Sequence, residues 1–165
     1  MNFFIPSFLG LCVPYLFYIL MPITLQIDSI LLSFFLKLSS FVCVVYGIFT
    51  VISSAKIIYG HLNTPLWDRP PEKLAFYGPY RYCRNPMTLG FSFILLGESL
   101  FFKSVGIFIW AIIFLLVSIY LIVKIEEPSL RNKFGKEYDE YLYKTPRWFK
   151  FNYIISRGET YEKDV

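Results

Sequence analysis

Long stretches without a charged side chain restrict the folds open to this chain more than any other feature. No Asp, Glu, Lys or Arg occurs in residues 2–27, 38–55 or 104–123. A helix of about 20 apolar residues, at ~1.5 Å per residue, matches the ~30 Å hydrocarbon core of a bilayer. These stretches therefore predict transmembrane helices in an all-α integral membrane protein.

The apolar stretches predict about four spans, over residues 5–27, 33–58, 87–102 and 105–125. Only 17% of the residues are charged, whereas a soluble domain carries ~25%. The first stretch lacks the basic flank and the cleavage site of a signal peptide, so we interpret it as a retained helix kinked at Pro14 and Pro22. The short link at 103–104 predicts that spans three and four form an antiparallel hairpin.

Basic residues are concentrated in two parts of the chain. Of 16 Lys and Arg residues, five lie in 56–86 and nine in 124–165. Cytoplasmic segments beside membrane helices are enriched in these residues. Both termini and the 59–86 loop, with the working end of the protein, are therefore predicted to be cytoplasmic. The net charge of +4 needs no nucleic-acid partner, because no basic stripe with interleaved aromatic residues occurs.

The whole chain is predicted to form a single membrane domain, residues 1–165. Its predicted parts are the N-terminal spans (1–58), the polar loop with the hairpin and C-terminal helices (59–156), and a frayed tail (157–165). In the C-terminal part, apolar side chains recur every four residues, at Leu130, Phe134, Tyr138 and Leu142. This spacing predicts an amphipathic cytoplasmic helix that breaks at Gly135.

Cysteine and histidine provide little chemistry in this sequence. The cysteines are Cys12, Cys43 and Cys83, an odd and scattered set that argues against a disulfide framework. The one histidine, His61, argues against a histidine-based metal site, and we predict no metal.

A distinctive motif directly precedes the third span. Residues 78–90 read Gly-Pro-Tyr-Arg-Tyr-Cys-Arg-Asn-Pro-Met-Thr-Leu-Gly. Arginine beside hydrocarbon is unfavourable unless it contacts headgroups, a cavity or a partner. Composition alone favours an ordinary basic flank, and the alternative is a binding site. Arg84 is one candidate for orienting an anionic group, and Arg147 is the other; contact with lipid headgroups is the alternative for both.

A second motif follows the fourth span. The paired carboxylates Glu126 and Glu127 stand at the end of an apolar helix, and Phe-Gly, two tyrosines and Pro-Arg follow by residue 147. A carboxylate that turns inward here can hold a cationic ligand. The alternative is a solvated helix end.

The two motifs, in this order and separated by a helical hairpin, resemble the isoprenylcysteine carboxyl methyltransferase and phospholipid methyltransferase superfamily. The first resembles that family's Gly-Pro-Tyr-Arg-Tyr-x-Arg-His/Asn-Pro-x-Tyr-x-Gly, and the second its Glu-Glu-x-x-Leu, Phe-Gly, Tyr, Tyr and Pro-Arg. The likeness covers about residues 64–148. It implies an S-adenosyl-L-methionine-dependent methyltransferase that acts on a lipid-like or hydrophobic acceptor, such as a carboxylate, admitted between the spans.

The resemblance also implies a non-Rossmann cofactor pocket, and the sequence agrees, since it has no Gly-x-Gly-x-x-Gly motif. In this pocket Glu126 would form an ion pair with the amino group of the cofactor. Tyr80 would pack against the cofactor. The remaining lining residues implied by the resemblance are Glu72, Lys73, Leu74, Ala75, Asn85, Pro86, Met87 and Thr88.

The sequence departs from the family pattern at three positions. Asn85 replaces the common His and cannot act as a general base. Thr88 replaces the usual Tyr, which puts the shape of the pocket in doubt. Ile122 stands where the prenylcysteine enzymes carry an Arg that meets the substrate carboxylate, and Lys124 is the nearest cation. The acceptor is therefore open between a prenylcysteine, a phospholipid and another hydrophobic molecule.

Two other functions are compatible with the sequence. A related membrane reductase would use NADPH in a similar C-terminal helical arrangement. A small membrane scaffold would need no cofactor pocket. The oligomeric state is left open by the sequence.

Overall fold

A computed structural model describes residues 13–26, 28–61 and 73–148 of the chain. Within these ranges the secondary structure is helical, apart from one isolated β-bridge. The α-helices are α1 (Val13–Leu20), α2 (Ile30–Ala55), α3 (Pro86–Phe102), α4 (Val105–Leu121), α5 (Glu127–Phe134) and α6 (Lys136–Lys144). Two π-helical segments, Lys56–His61 and Ile122–Glu126, follow α2 and α4, and Gly78–Arg81 forms a 3₁₀ turn.

Two continuous helical stretches are long and apolar enough to cross a membrane, Ile30–Ile58 and Val105–Phe134. They correspond to the predicted second and fourth spans. Helix α3 is apolar but has only 17 residues, and the described part of α1 has eight. The structure thus confirms an all-helical protein with two candidate membrane helices, while the first and third spans stay predictions. The start of span one and the predicted frayed tail lie outside the described residues.

The first predicted span differs from the structure at its C-terminal end. Helix α1 stops at Leu20, whereas the apolar run continues to residue 26. Pro22 has no backbone N–H and cannot continue the helical hydrogen bonds. The chain then pairs with the hairpin link: Val105 N–H donates to Ile23 O (3.0 Å), and Leu25 N–H donates to Lys103 O (2.9 Å). These bonds satisfy backbone groups that the helix no longer pairs.

The predicted hairpin between α3 and α4 is present. Lys103 adopts a left-handed conformation with φ 50°, and Ser104 Oγ caps α4 by accepting from Ile107 N–H at 3.3 Å. One residue in this conformation is enough to reverse the chain. The two helices then pack antiparallel, with Phe91 edge-on to Phe114 at a ring distance of 6.4 Å.

Helices α2 and α3 approach closely because small residues face each other. A Cβ atom added to Gly47 would lie 2.6 Å from Gly90 O, and one added to Gly97 would lie 3.0 Å from Ser40 O. Ser40 Oγ donates to Gly97 O at 2.7 Å. Small residues at helix interfaces allow such backbone contact, and dispersion forces and interhelical hydrogen bonds hold apolar helices together where the hydrophobic effect is absent.

The C-terminal segment folds as two short helices rather than one. Helix α5 ends at Phe134, Gly135 has φ 53°, and α6 follows. Tyr138 and Tyr141 of α6 are buried against Leu74. The predicted amphipathic segment and its break at Gly135 are both present.

We expect Gly47→Leu to destabilise the protein, because the larger side chain would force α2 away from α3. Overpacking of a tight interface costs ~1–3 kcal/mol. The matched control is Ser39→Leu, on an exposed position of the same helix. Thermal unfolding in detergent should show a lower midpoint for the first variant only, and equal midpoints would contradict the close packing.

Candidate functional site

The two sequence motifs contact each other at one end of the helices. Arg84 N–H donates to Pro146 O at 3.1 Å, and the Cys83 thiol donates to Arg147 O at 3.2 Å. The Tyr141 hydroxyl donates to Tyr80 O at 2.9 Å. These bonds tie the segment before α3 to α6 and the segment after it, although more than 60 positions separate them in sequence.

An ion cluster lies where these segments meet the end of α4. Glu127 accepts from Arg84 Nη1 at 3.0 Å and from Arg147 Nε and Nη2 at 3.0 and 2.8 Å. The side chains of Arg84 and Glu127 are only 13% and 17% exposed. Charge-assisted bonds of this kind are about twice as strong as neutral ones. The cluster therefore joins three separate parts of the chain.

Arg84 and Arg147, predicted to orient an anionic group, are thus both engaged by a carboxylate of the protein. Arg147 makes a two-pronged contact with Glu127, and Arg84 contacts the same carboxylate. The structure places both arginines at the junction of the two motifs. Sequence reasoning missed Glu127, their shared partner.

Glu126 behaves differently from its neighbour. Glu126 is half-buried. Its carboxylate makes no hydrogen bond or ion pair with another residue in the described ranges. Glu126 is the last residue of the π-helical segment, and Glu127 begins α5. Single π-helical turns are frequent at functional sites. This π-helical segment marks the division between Glu127, whose carboxylate is paired, and Glu126, whose carboxylate has no partner in the described ranges.

Two buried tyrosines of α6 lie beside both carboxylates. Burial raises the pKa of Tyr138 to about 12; the Glu127 charge adds to this shift, the Arg84 charge opposes it, and Glu126 adds a smaller effect. Burial also raises the pKa of Tyr141, with Glu126 again a smaller contributor. Both phenols are therefore neutral at physiological pH and act as hydrogen-bonding groups rather than bases.

Cys83 is a structural thiol in this arrangement. Burial raises its pKa to about 11, against the opposing effects of the Asn85 backbone and Arg84. A thiol with so high a pKa is protonated near neutral pH and is a poor nucleophile. Its role is to donate to Arg147 O.

The other predicted cofactor residues fall into two groups. Glu72 lies outside the described residues. Lys73 is exposed, Leu74 is buried against α6, and Ala75 and Tyr80 are partly buried. Of these residues, Leu74 and Tyr80 contact α6, Leu74 by packing and Tyr80 through its carbonyl.

The second group begins α3. Asn85 precedes the first turn without a side-chain cap bond, and Pro86 is buried as its first residue. Met87 packs against the core formed by α3 and α4. Thr88 O accepts a hydrogen bond from Ser92 Oγ at 2.9 Å. Asn85 Nδ2 is a buried donor without a hydrogen-bond partner in the described part of the chain.

An apolar groove opens on the other side of the Gly78–Arg81 turn, between α2 and α3. Its volume is about 550 Å³, within the ~300–1,000 Å³ range of ligand pockets. Its lining residues are Tyr46, Phe49, Thr50, Ser53, Lys56, Ile57, Gly78, Pro79, Tyr82, Cys83, Pro86 and Leu89. Cys83 and Pro86, which flank Arg84 and Asn85, form one wall. The groove therefore adjoins the segment that carries the ion cluster.

In the part of the chain that the structure describes, no group of three or more His, Cys, Asp or Glu side chains could hold a metal ion. The chemistry of this end of the molecule is thus that of carboxylates, guanidinium groups, an amide and phenols.

Comparisons with known proteins agree with the resemblance drawn from the motifs. The model of the phospholipid methyltransferase family matches residues 30–137, well over half of the chain. No curated protein and no solved structure matches this chain. The matched region includes α2, the hairpin, both carboxylates and the start of α6. The chain belongs to the phospholipid methyltransferase family and is a membrane methyltransferase.

Proposed function

We propose that the protein transfers a methyl group from S-adenosyl-L-methionine to a lipid-like or hydrophobic acceptor taken from the membrane. The observation that carries this proposal is the carboxylate of Glu126, which has no partner among the described residues, beside a fully paired Glu127. A partly buried carboxylate is unfavourable without a cation. The amino group of the cofactor supplies such a cation.

The remaining cofactor contacts come from the resemblance and from the position of the residues. Lys73, Leu74, Ala75 and Tyr80 border the site from the loop, and Asn85, Pro86, Met87 and Thr88 border it from α3; Glu72 completes the set implied by the family. All of these residues are close in sequence to the segment before α3. That segment contacts the start of α5 through Arg84 and Glu127. We propose that backbone groups of this segment provide part of the binding.

Methyl transfer requires little acid–base catalysis by the protein. When bound, the cofactor supplies an electrophilic methyl group on a sulfonium. The protein orients the reactants and excludes water, and such positioning can contribute ~7–11 kcal/mol. Asn85 cannot serve as a base, so the acceptor is expected to present a group that is already nucleophilic, such as a carboxylate.

We propose that the groove between α2 and α3 receives the acceptor from the bilayer. Its lining is almost entirely apolar, and Lys56, for which the described residues provide no ion pair, stands among the lining residues. A hydrophobic tail would bury apolar surface there at ~25 cal/mol per Å². Ile122 is buried where a substrate-binding Arg stands in the prenylcysteine enzymes, and the cation among the residues that line the groove is Lys56.

Substitution of Glu126, with Glu98 as the control carboxylate, tests the cofactor site. Glu126→Gln is expected to weaken binding of S-adenosylhomocysteine by roughly 10- to 100-fold, because a hydrogen bond to a charged group contributes ~1.5–3 kcal/mol. Glu98→Gln, on α3, should change the affinity less than twofold. Calorimetry on the folded protein in detergent measures all three proteins, and equal effects at both positions would refute the role of Glu126.

Glu127→Gln is expected to affect stability rather than cofactor contact. Removing one partner of a largely buried ion cluster typically costs ~3–5 kcal/mol. Its thermal midpoint in detergent should therefore fall, whereas that of Glu126→Gln should not. A midpoint for Glu127→Gln equal to that of the unaltered protein would show that the cluster does not hold the two motifs together.

A side chain that fills the groove tests the acceptor site. Ser53→Phe is expected to reduce methyl transfer to lipid at least tenfold and leave S-adenosylhomocysteine affinity unchanged; Ser39→Phe, on an exposed position of α2, is the control. The measurement is incorporation of label from methyl-labelled cofactor into extracted membrane lipids, identified by mass spectrometry. Unaltered transfer by Ser53→Phe would exclude the groove. Oxidation of NADPH without methyl transfer would instead indicate a reductase.

A further inference from the structure

The apolar groove between α2 and α3 has a charge of one sign only. Lys56 is the charged residue among its lining residues in the described part of the chain, and these lining residues include no carboxylate. The Lys56 side chain is exposed, and the ion pairs formed within the described ranges do not include it. A cleft lined by one sign of charge concentrates ligands of the opposite sign.

Lys56 stands at one end of the groove. The lining residues from the apolar stretch Ile30–Ile58 run from Tyr46 to Ile57. From Tyr46 to Lys56 the helix axis covers ~15 Å at ~1.5 Å per residue, which is half of the ~30 Å hydrocarbon core of a bilayer. A lysine at the end of an apolar helix lays its stem along apolar surface and keeps its ammonium group at the polar boundary. The groove thus matches the length of one lipid tail, with a cation at the head.

Lys56 is also the strongest hydrogen-bond donor that the groove offers. The other polar side chains of the lining are hydroxyl groups and the Cys83 thiol. Thr50 Oγ1 already donates to Tyr46 O at 2.8 Å, and Cys83 Sγ donates to Arg147 O. Hydrogen bonds from a charged donor are about twice as strong as neutral ones. An anionic group of the acceptor therefore gains most by contact with Lys56.

The reaction favours the same class of acceptor. A protonated amine has to lose a proton before it attacks a methyl group, and Asn85 cannot take that proton. A zwitterionic head also brings its own cation close to Lys56, where like charges repel. An anionic head meets neither obstacle.

We propose that Lys56 is a specificity-determining residue of the acceptor groove. Its ammonium group binds an anionic group of the acceptor, so the enzyme selects amphiphiles with a negatively charged head over zwitterionic and neutral ones with the same tail. This inference rests on the proposed function of the groove and extends it to the class of acceptor. A carboxylate and a phosphate share this chemistry, and the test separates them.

Matched amphiphiles test the assignment by binding. Dodecanoate, dodecyl phosphate and dodecylphosphocholine share one hydrocarbon tail, and only the first two have an anionic head. Calorimetry on the folded protein in a neutral maltoside detergent compares their affinities. We expect both anionic compounds to bind roughly tenfold more tightly than the zwitterion, because their bond to Lys56 is charge-assisted at both ends. Equal affinities for the three compounds would overturn the proposal.

Variants then locate the preference. Lys56→Gln is expected to abolish it by weakening the two anionic compounds and leaving dodecylphosphocholine unchanged, whereas Lys56→Arg, which keeps the charge, should retain it. Ser53→Phe, which fills the groove, should weaken all three compounds.

Two control variants remove the same charge outside the groove lining. Lys136→Gln lies at an exposed position of α6, and Lys124→Gln lies at an exposed position near the end of α4. Both should retain the preference for anionic compounds. If either variant abolishes the preference while Lys56→Gln keeps it, the role of Lys56 is refuted.

Methyl transfer identifies the source of the anion. Membrane lipids are separated by anion-exchange chromatography, and the retained anionic fraction and the unretained fraction are each incubated in detergent with methyl-labelled S-adenosyl-L-methionine. We expect the labelled product from the retained fraction and less of it with Lys56→Gln. Phosphorus in the product, measured by mass spectrometry, indicates a phosphate head, and its absence indicates a carboxylate.

The two measurements separate a failure of this inference from a failure of the proposed function. If neither fraction gives a methylated product while the preference for anionic compounds depends on Lys56, the methyl-transfer proposal fails and the anion site stands. If only the unretained fraction supplies the acceptor, the methyl-transfer proposal stands and the assigned role of Lys56 is wrong.

Discussion

Two guanidinium groups on the carboxylate of Glu127 hold the polar end of this protein together. Arg84 comes from the segment before α3, Arg147 from the segment after α6, and Glu127 from the end of the last apolar helix. The largely buried ion cluster fixes them relative to one another, because each charge loses its water and needs its partners. The polar site exists because of this junction.

The adjacent carboxylates show how one helical turn assigns different roles to identical side chains. Successive residues of a helix point about 100° apart, so Glu127 can meet the arginines while Glu126 cannot. The π-helical segment Ile122–Glu126 sets where that division falls. The consequence is one carboxylate with a structural partner and one that is open to a cationic ligand. The same segment before α3 provides the donors of Arg84 and Asn85 and, on its other side, a wall of the apolar groove.

The apolar helices position the segment before α3. Glycines on α2 and α3 bring the two backbones into contact. Because the chain reverses at Lys103, the C-terminal ends of α2 and α4 lie at the same end of the molecule. The groove lies where α2 and α3 separate again, beside the Gly78–Arg81 turn. Close packing further along the helices therefore sets the distance between the apolar groove and the polar cluster.

The sequence by itself determined the apolar helices, the hairpin, the helix break at Gly135 and the family, because hydropathy, turn residues and an ordered motif are local properties of the chain. It also singled out Arg84, Arg147 and Glu126. It did not determine that α1 would end at Leu20, where Pro22 and pairing with the hairpin link outweigh an apolar run that continues to residue 26.

Only the tertiary structure decided which carboxylate the arginines would take and which would stay open. Glu126 and Glu127 are chemically identical, and their difference depends on arginine side chains 20 positions after Glu127 and 43 positions before it. Long-range contacts of this kind leave no periodic signal in a sequence.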